Sequence, residues 1–533
     1  METITVLSLL CKYRAWVRKG EIQFLGKGTD NQKEVLDLLE QLIPAFETAQ
    51  DREGGLSKNL DWHQTHVQGR DLWQKLVSAS LNHIDTNSKG NSALFDYLDK
   101  ATQFEELLYG LEEYYRDHTL HSLWVYFIGE HLMRDMLPRV HADLNWYVYN
   151  DFCSSAGYKR DLINQARKQE ETICGKVNEK RDAVWCVMAL CHDLGYSLAK
   201  LDKINDRVRD VLRFFDLREF ERVGYSLNLE QQYLVSQALE LMSMEVHIDP
   251  DERYRDTSID IEERVKIRCY RDDSTYWRLC RAFEQKQHGV LSAYLLFKVL
   301  GIFAEASIRE TSGEWGLDED EAVRNVMLGD ILFAVAQHEF DFAHVNQIGS
   351  LADILLIADE LEEFSRYGRQ LLTRNYSDTT ANAGICVTPE NPRQGDRVEI
   401  EIVYDFDEQR QLNDYFMFFW RKARRLCTAY SLDLEPGTDD RYCTINGLKM
   451  TVRYKGHEMY FELRKGAENR NRGYLPETKV QGEKYGEGQY DLSCMDDKIL
   501  VHAQGGRIDL EEWCNRAASQ YADGAVSPGG TTG

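Results

Sequence analysis

The chain has 533 residues, 43% of them hydrophobic and 11% aromatic, with 64 Lys and Arg against 89 Asp and Glu and a formal net charge of −25. A length of this order holds about two to four domains, each able to bury its own core. Such acidity argues against a nucleic-acid polymer as the main partner, because phosphate-backbone binding wants a basic surface. A small anionic ligand stays compatible where a metal and a few local cations offset the field.

No apolar window reaches the roughly eighteen residues of a membrane span, so no membrane partner is expected. Residues Ile4 to Cys11 are apolar but lack a basic segment before them. They read as the first turns of an amphipathic helix, not as a signal peptide. The twelve cysteines are scattered with no CxxC pair, and several lie inside apolar helical runs. A reduced, cytoplasmic setting is expected.

The first 380 residues contain only three prolines, Pro44, Pro138 and Pro250. Apolar residues recur there at three- and four-residue spacing, so this part is predicted to be almost entirely helical. Residues 1–105 form an N-terminal helical region with helices such as Lys33–Ala49 and Leu72–Leu81 and a polar break over Asp85–Asn91. His63 and His66 stand three apart beside Trp62, and are assigned a solvated or packing role.

Residues 106–376 carry the chemistry. Phe104–Tyr115 leads into Tyr115–Ser122, where His118 and His121 are three apart and share a helix face. Ala183 to Leu190 is an almost unbroken apolar run, expected to be a helix buried on most faces, and it leads through Cys191 to His192-Asp193-Leu194-Gly195. Two strongly hydrated groups at a buried helix end need a partner. A divalent cation meets that need, with the glycine letting the chain turn away; so does a capped end with an internally satisfied pair. His288-Gly289 opens a second apolar run, Val290–Ala304. Ile331 to His338 repeats the layout of an apolar run ending in histidine, and Leu351–Leu361 places Asp359 in an apolar helix.

Composition shifts after Tyr376. Ser377–Ala383 reads as a linker, and residues 385–524 as an α+β accessory domain with a regulatory role in view. Its elements are a strand at Val398–Tyr404, a helix over Gln409–Ala429, and a hairpin of Cys443–Tyr454 with Glu458–Leu463 that includes an Asn446-Gly447 turn. A final helix is read over Ile508–Tyr521. A ferredoxin-like order is expected for it. Residues 525–533 read as a disordered tail. The fold class is therefore mainly α, a helical bundle followed by an α+β domain.

His121, His192-Asp193, His288, His338 and Asp359 are polar outliers of largely apolar helices. Ligands this far apart in sequence are what a helical bundle needs to hold metal at its centre. The order H…HD…D, with ALCHDLG over residues 189–195 and LLIADELEEFSR over 355–366, resembles the HD-domain metal-dependent phosphohydrolase superfamily. The likeness extends roughly from Tyr115 to Arg369. It implies an HD-type bundle in which His121, His192, Asp193 and Asp359 ligate a divalent metal (Mn, Fe, Mg or Zn), and His288 and His338 either hold a second ion or contact phosphate or water. It further implies catalytic roles for His118, Asp193 and His288.

The sequence departs from the best-known branches in two places. His118 stands where dNTP-hydrolysing relatives commonly carry a phosphate-binding arginine, leaving Arg116, Lys200, Arg366 and Arg369 as candidate phosphate contacts. The turn after the HD pair lacks the forms of the dGTP triphosphohydrolases and of many signalling phosphodiesterases. The first functional expectation is a deoxynucleoside triphosphate hydrolase, nucleotide-regulated, homo-oligomeric and with antiviral defence as its suggested role. The alternatives are a phosphodiesterase for a cyclic or short oligonucleotide, favoured if two metals bind, and a non-catalytic nucleotide-binding regulatory module.

Overall fold

A computed structural model describes residues 2–50, 62–86, 89–108, 114–137, 148–150, 160–215, 221–250, 265–304, 317–339, 347–364, 366–369, 376–379, 381–389, 397–406, 418–423, 425–426, 443–454, 457–464, 477–482, 490–495, 498–503, 506–509 and 512. In chain order the first part comprises β1 (Glu2–Ile4), α1 (Val6–Lys19), α2 (Asp30–Gln50), α3 (Trp62–Ile84), α4 (Asn91–Leu108), β2 (Tyr114–Arg116) and α5 (His118–His131). There follow β3 (Val148–Asn150), α6 (Arg160–Asn178), α7 (Arg181–Cys191), α8 (Tyr196–Ala199), α9 (Leu201–Leu212), α10 (Leu229–Met242), β4 (Met244–Pro250) and β5 (Val265–Arg271). Then come α11 (Asp273–Glu284), α12 (His288–Val299), α13 (Gly301–Ala304), α14 (Glu319–Gln337), β6 (Gln347–Ile348) and α15 (Leu351–Leu361). The chain becomes strand-rich from there: β7 (Arg366–Arg369), β8 (Tyr376–Thr379), β9 (Ala381–Pro389), β10 (Arg397–Phe406), β11 (Cys443–Tyr454), β12 (His457–Arg464), β13 (Glu477–Gly482), β14 (Tyr490–Met495), β15 (Lys498–Ala503) and β16 (Gly506–Asp509). The molecule is thus mainly helical up to Leu361, as its hydrophobic periodicity predicts.

The centre of the helical part is α7. Every residue from Asp182 to Cys191 is buried, because α7 packs against α3, α5, α14 and α15 on different sides. Its neighbour α5 is buried along its whole length and also meets α1 and α3. Fully buried Trp73, Trp124, Trp185, Tyr126 and Phe127 fill the space between them, each such side chain contributing about 1.5–3 kcal/mol on burial. The N-terminal helices share this core: the Tyr13 and Tyr126 hydroxyls lie 2.9 Å apart, and Trp73 Nε1 donates to the Leu190 carbonyl at 2.8 Å.

Local sequence sets the helix starts that matter for the site. Thr5 and Ser8 form a capping box on α1, and Ser350 with Asp353 forms one on α15. Asp117 caps α5 by accepting from Leu120 N at 3.0 Å, and His66 Nδ1 lies 2.8 Å from the other Asp117 oxygen. His66 therefore supports the helix that carries His118 and His121, a structural role in keeping with the sequence reading, made through a carboxylate 51 residues away.

The strands form one large sheet ordered β1-β9-β10-β11-β12-β13-β14-β15-β16, with β6 paired to β11, and two three-stranded sheets, β2-β7-β8 and β3-β4-β5. Among the described residues of the large sheet, only β10 and β11 are parallel. The consecutive antiparallel run from β11 to β16 is a meander, not the interleaved order of a ferredoxin-like sheet. Two other expectations change here. Asn446-Gly447 makes no turn: it lies inside β11, where Ile445 pairs with Val398 and Gly447 with Glu399, so Asn446 is the extra residue of a bulge. Residues 376–379 and 381–389, read as linker and its sequel, are β8 and β9. Ile508 belongs to β16; the rest of the predicted final helix, apart from residues 509 and 512, lies outside the described residues, as does the tail. Of the predicted helix 409–429, residues 418–423 and 425–426 are described and helical.

Candidate metal centre

The six polar outliers converge. His121 comes from the first turns of α5, His192 and Asp193 from the end of α7, His288 from the first position of α12, His338 from the end of α14, and Asp359 from the last turn of α15. The convergence depends on a close approach of backbones. A Cβ on Gly195 would lie 2.4 Å from the His288 carbonyl and 2.6 Å from Ser292 N, and Gly195 N donates to Ser292 Oγ at 2.7 Å. The chain turns at Gly195 as expected, but with an ordinary φ of −78°; what the missing side chain provides is room for α12 beside the end of α7.

Hydrogen bonds outside the cluster fix which ring nitrogens face inward. Nδ1 of His192 contacts the Ala189 carbonyl at 2.8 Å, and Nδ1 of His121 contacts Glu362 Oε2 at 2.7 Å. Both partners accept only, so each Nδ1 holds the proton. The two Nε2 lone pairs then meet 3.1 Å apart. Asp359 Oδ1 lies 3.1 Å from His121 Nε2 and 3.9 Å from His192 Nε2; Asp193 Oδ2 lies 3.4 and 3.5 Å from the same two atoms. Four acceptors crowded in this way repel one another unless a cation sits among them. Their spacing suits one: ligands at about 2.1 Å and right angles are about 3 Å apart.

The same construction occurs a second time. Nδ1 of His338 contacts the Val335 carbonyl at 2.7 Å and Nδ1 of His288 contacts Glu339 Oε2 at 2.7 Å. Their Nε2 atoms are 3.1 Å apart, and Asp193 Oδ1 lies 3.0 Å from one and 3.4 Å from the other. Asp193 therefore offers one oxygen to each set. Imidazole held by a carbonyl or carboxylate at its far nitrogen is the usual dress of a metal ligand. The donors are mixed N and O without thiolate, which suits Mn, Fe, Mg or Zn. The buried His and Asp groups can hold divalent metal.

Between protein groups alone, protons and Arg116 balance the charge. Burial opposes a charge on His288, but Glu339 and Asp193 push its pKa up to about 10. Burial drives His192 down to about 3, and His118 likewise to about 3. Burial works against ionised Asp193 and Asp359, yet the surrounding histidines, and Arg116 for Asp359, hold both well below the usual carboxylate range. Arg116 Nη1 donates to Asp359 Oδ1 at 3.0 Å and stands 3.2 Å from His121 Nε2. Its guanidinium also lies 3.8 Å from Glu362 and from Glu363.

A cavity of about 450 Å³ opens onto the cluster, and its walls include Arg116, His118, Tyr196, Glu339, Lys422 and Arg425. His118 Nε2 is 3.9 Å from Asp193 Oδ2, beside the donors, with its ring tilted on Tyr196 at 3.8 Å. Of the candidate phosphate contacts, Arg116 lines the cavity while engaged by carboxylates. Lys200 sits over the Tyr196 ring at 4.3 Å and is not among the cavity's walls. Arg366 and Arg369 lie on β7, and their side chains are outside the described residues. Sequence reasoning missed Glu362, Glu339, Lys422 and Arg425. Glu339 directly follows His338 and Glu362 follows Asp359 by one turn, so adjacency to the ligands was the available signal. No protein-family model, curated protein or solved structure matches this chain.

Proposed function

We propose that the chain is a metal-dependent phosphohydrolase of nucleotides whose centre takes two divalent cations and acts on the phosphodiester of a cyclic or short oligonucleotide. The observation that supports this reading is Asp193, with one oxygen facing each of two lone-pair sets. Cations held there would supply Lewis-acid polarisation of a phosphoryl group and activation of water. The protein groups do the rest. Asp193 ties the two sets at a fixed separation, Glu362 and Glu339 orient the histidines, and His118, neutral at ordinary pH, can present an N–H to the phosphate. Water adds to phosphorus and the bond to the leaving oxygen breaks.

Hydrolysis of deoxynucleoside triphosphates is the second reading. It is favoured by the inequality of the sets: His121, His192, Asp193 and Asp359 give four donors to one, whereas the other has three. A panel of cyclic mono- and dinucleotides, short oligonucleotides, NTPs and dNTPs with Mn²⁺, Mg²⁺, Fe²⁺ or Zn²⁺, read by chromatography, separates these. Two cations per chain with phosphodiester cleavage is expected, and Asp193→Ala should abolish both cation binding and turnover. Cation-dependent nucleotide binding without turnover of any member would make this a binding module instead.

A further inference from the structure

The helical residues 418–423 and 425–426 bury Phe418, Phe419, Ala423 and Leu426, and Lys422 shares that apolar stripe at only 7% exposure. A lysine in such a position is costly unless firmly paired. Its Nζ donates to the Glu360 carbonyl at 2.7 Å and lies 2.6 Å from Glu363 Oε1, while the Tyr404 hydroxyl from β10 donates to the same carbonyl at 2.7 Å. That carbonyl belongs to the last turn of α15, where helix carbonyls have no partner of their own and a cation is favoured. Three residues on, Arg425 Nε donates to Glu360 Oε1 at 2.8 Å, and Arg425 Nη2 donates to the His338 carbonyl.

The segment Arg425 grips is unusual. His338 offers Nε2 to the second donor set, and the next residue, Glu339, holds Nδ1 of His288, the other histidine of that set. One guanidinium thus fastens the stretch that positions both imidazoles, and anchors it to α15, which carries Asp359. We propose that Arg425, backed by Glu360, is a positioning residue through which the strand-rich C-terminal part of the chain builds the second cation set. This rests on the two-cation reading of the centre.

The test is a titration of the full chain with Mn²⁺, counting free ion by its magnetic resonance signal, with melting temperature followed in parallel under chelator. Wild type should bind two Mn²⁺. Arg425→Ala should keep the tighter ion and weaken the other by about 10–100-fold, the usual effect of losing an outer partner of a ligand. Arg425→Lys should recover part of the loss. Glu360→Gln removes a charge and no apolar contact; because Glu360 Oε2 also lies 3.3 Å from Lys422 Nζ, it should lower the melting temperature under chelator while leaving a folded chain in which the same ion is weakened, and it carries the test if Arg425→Ala does not fold. Two ions bound with wild-type affinities in a folded Arg425→Ala or Glu360→Gln chain would overturn the positioning role and leave the functional reading standing. A wild-type chain that binds no Mn²⁺ would overturn both.

Discussion

Asp193 brings a carboxylate to the point where four imidazoles meet, with Oδ2 facing His121 and His192 and Oδ1 facing His288 and His338. Each of those imidazoles is turned by a proton on its far nitrogen, given to Glu362, Glu339 or a helix carbonyl. His118 differs. It stacks on Tyr196, and burial pushes its pKa down to about 3, which favours the neutral ring over the imidazolium. Of the catalytic roles open to it, hydrogen bonding through a neutral ring fits this environment better than proton donation from an imidazolium. His118→Ala should retain Mn²⁺ and slow hydrolysis by ~10²-fold, the lower end of what a positioned proton-transfer group contributes. Loss of Mn²⁺ in a direct binding titration would instead place His118 among the ligands.

At the scale of elements, the centre is a meeting of helix ends. The starts of α5 and α12 and the ends of α7, α14 and α15 supply every donor, so rigid helices, not loops, set the geometry. The tightest joint is between α7 and α12 at Gly195. Gly195→Ala is allowed by its φ but puts a Cβ against two backbone atoms of α12, which can move only as a unit. Urea denaturation should show a loss of about 1–3 kcal/mol, the range for overpacking. The displaced His288 should also weaken Mn²⁺ binding; unchanged stability and stoichiometry would mean that α12 is free to slide.

For the molecule as a whole, the helical core and the large sheet are joined at several places: β1 pairs with β9, β6 pairs with β11, and Lys422 and Arg425 close on α15. Among the described residues no helix is long and apolar enough to cross a membrane. The core also contains a titration that contributes to its pH response. Glu130 is fully buried, and burial raises its carboxyl from 4.5 to about 7 against the pull of Arg134, which donates to it at 2.6 Å. The folded chain then holds that proton more tightly than the unfolded one. Its contribution to stability is complete below about pH 4.5 and is lost as pH rises through about 7. Glu130→Gln should remove up to about 3 kcal/mol of this pH dependence. Urea midpoints measured from about pH 5 to about pH 8 check it, and parallel courses for the two chains would refute it.

The order of the helices, the buried run of α7 and the six polar outliers were legible in the sequence, because an apolar helix that carries His or Asp states a local contradiction that only a partner can relieve. Which atoms meet was not legible. That Asp193 serves two sets, that Glu362 and Glu339 turn the rings, and that Arg425 holds the segment containing His338 all depend on contacts between residues far apart in the chain. The strand-rich part was read least well for the same reason. Asn446-Gly447 has the local chemistry of a turn, but pairing on both sides of β11 turned it into a bulge. Sequence by itself determined where charge had to be buried; the tertiary structure alone decided what each buried charge was buried against, because partners separated by tens to hundreds of residues leave no periodic trace in either stretch.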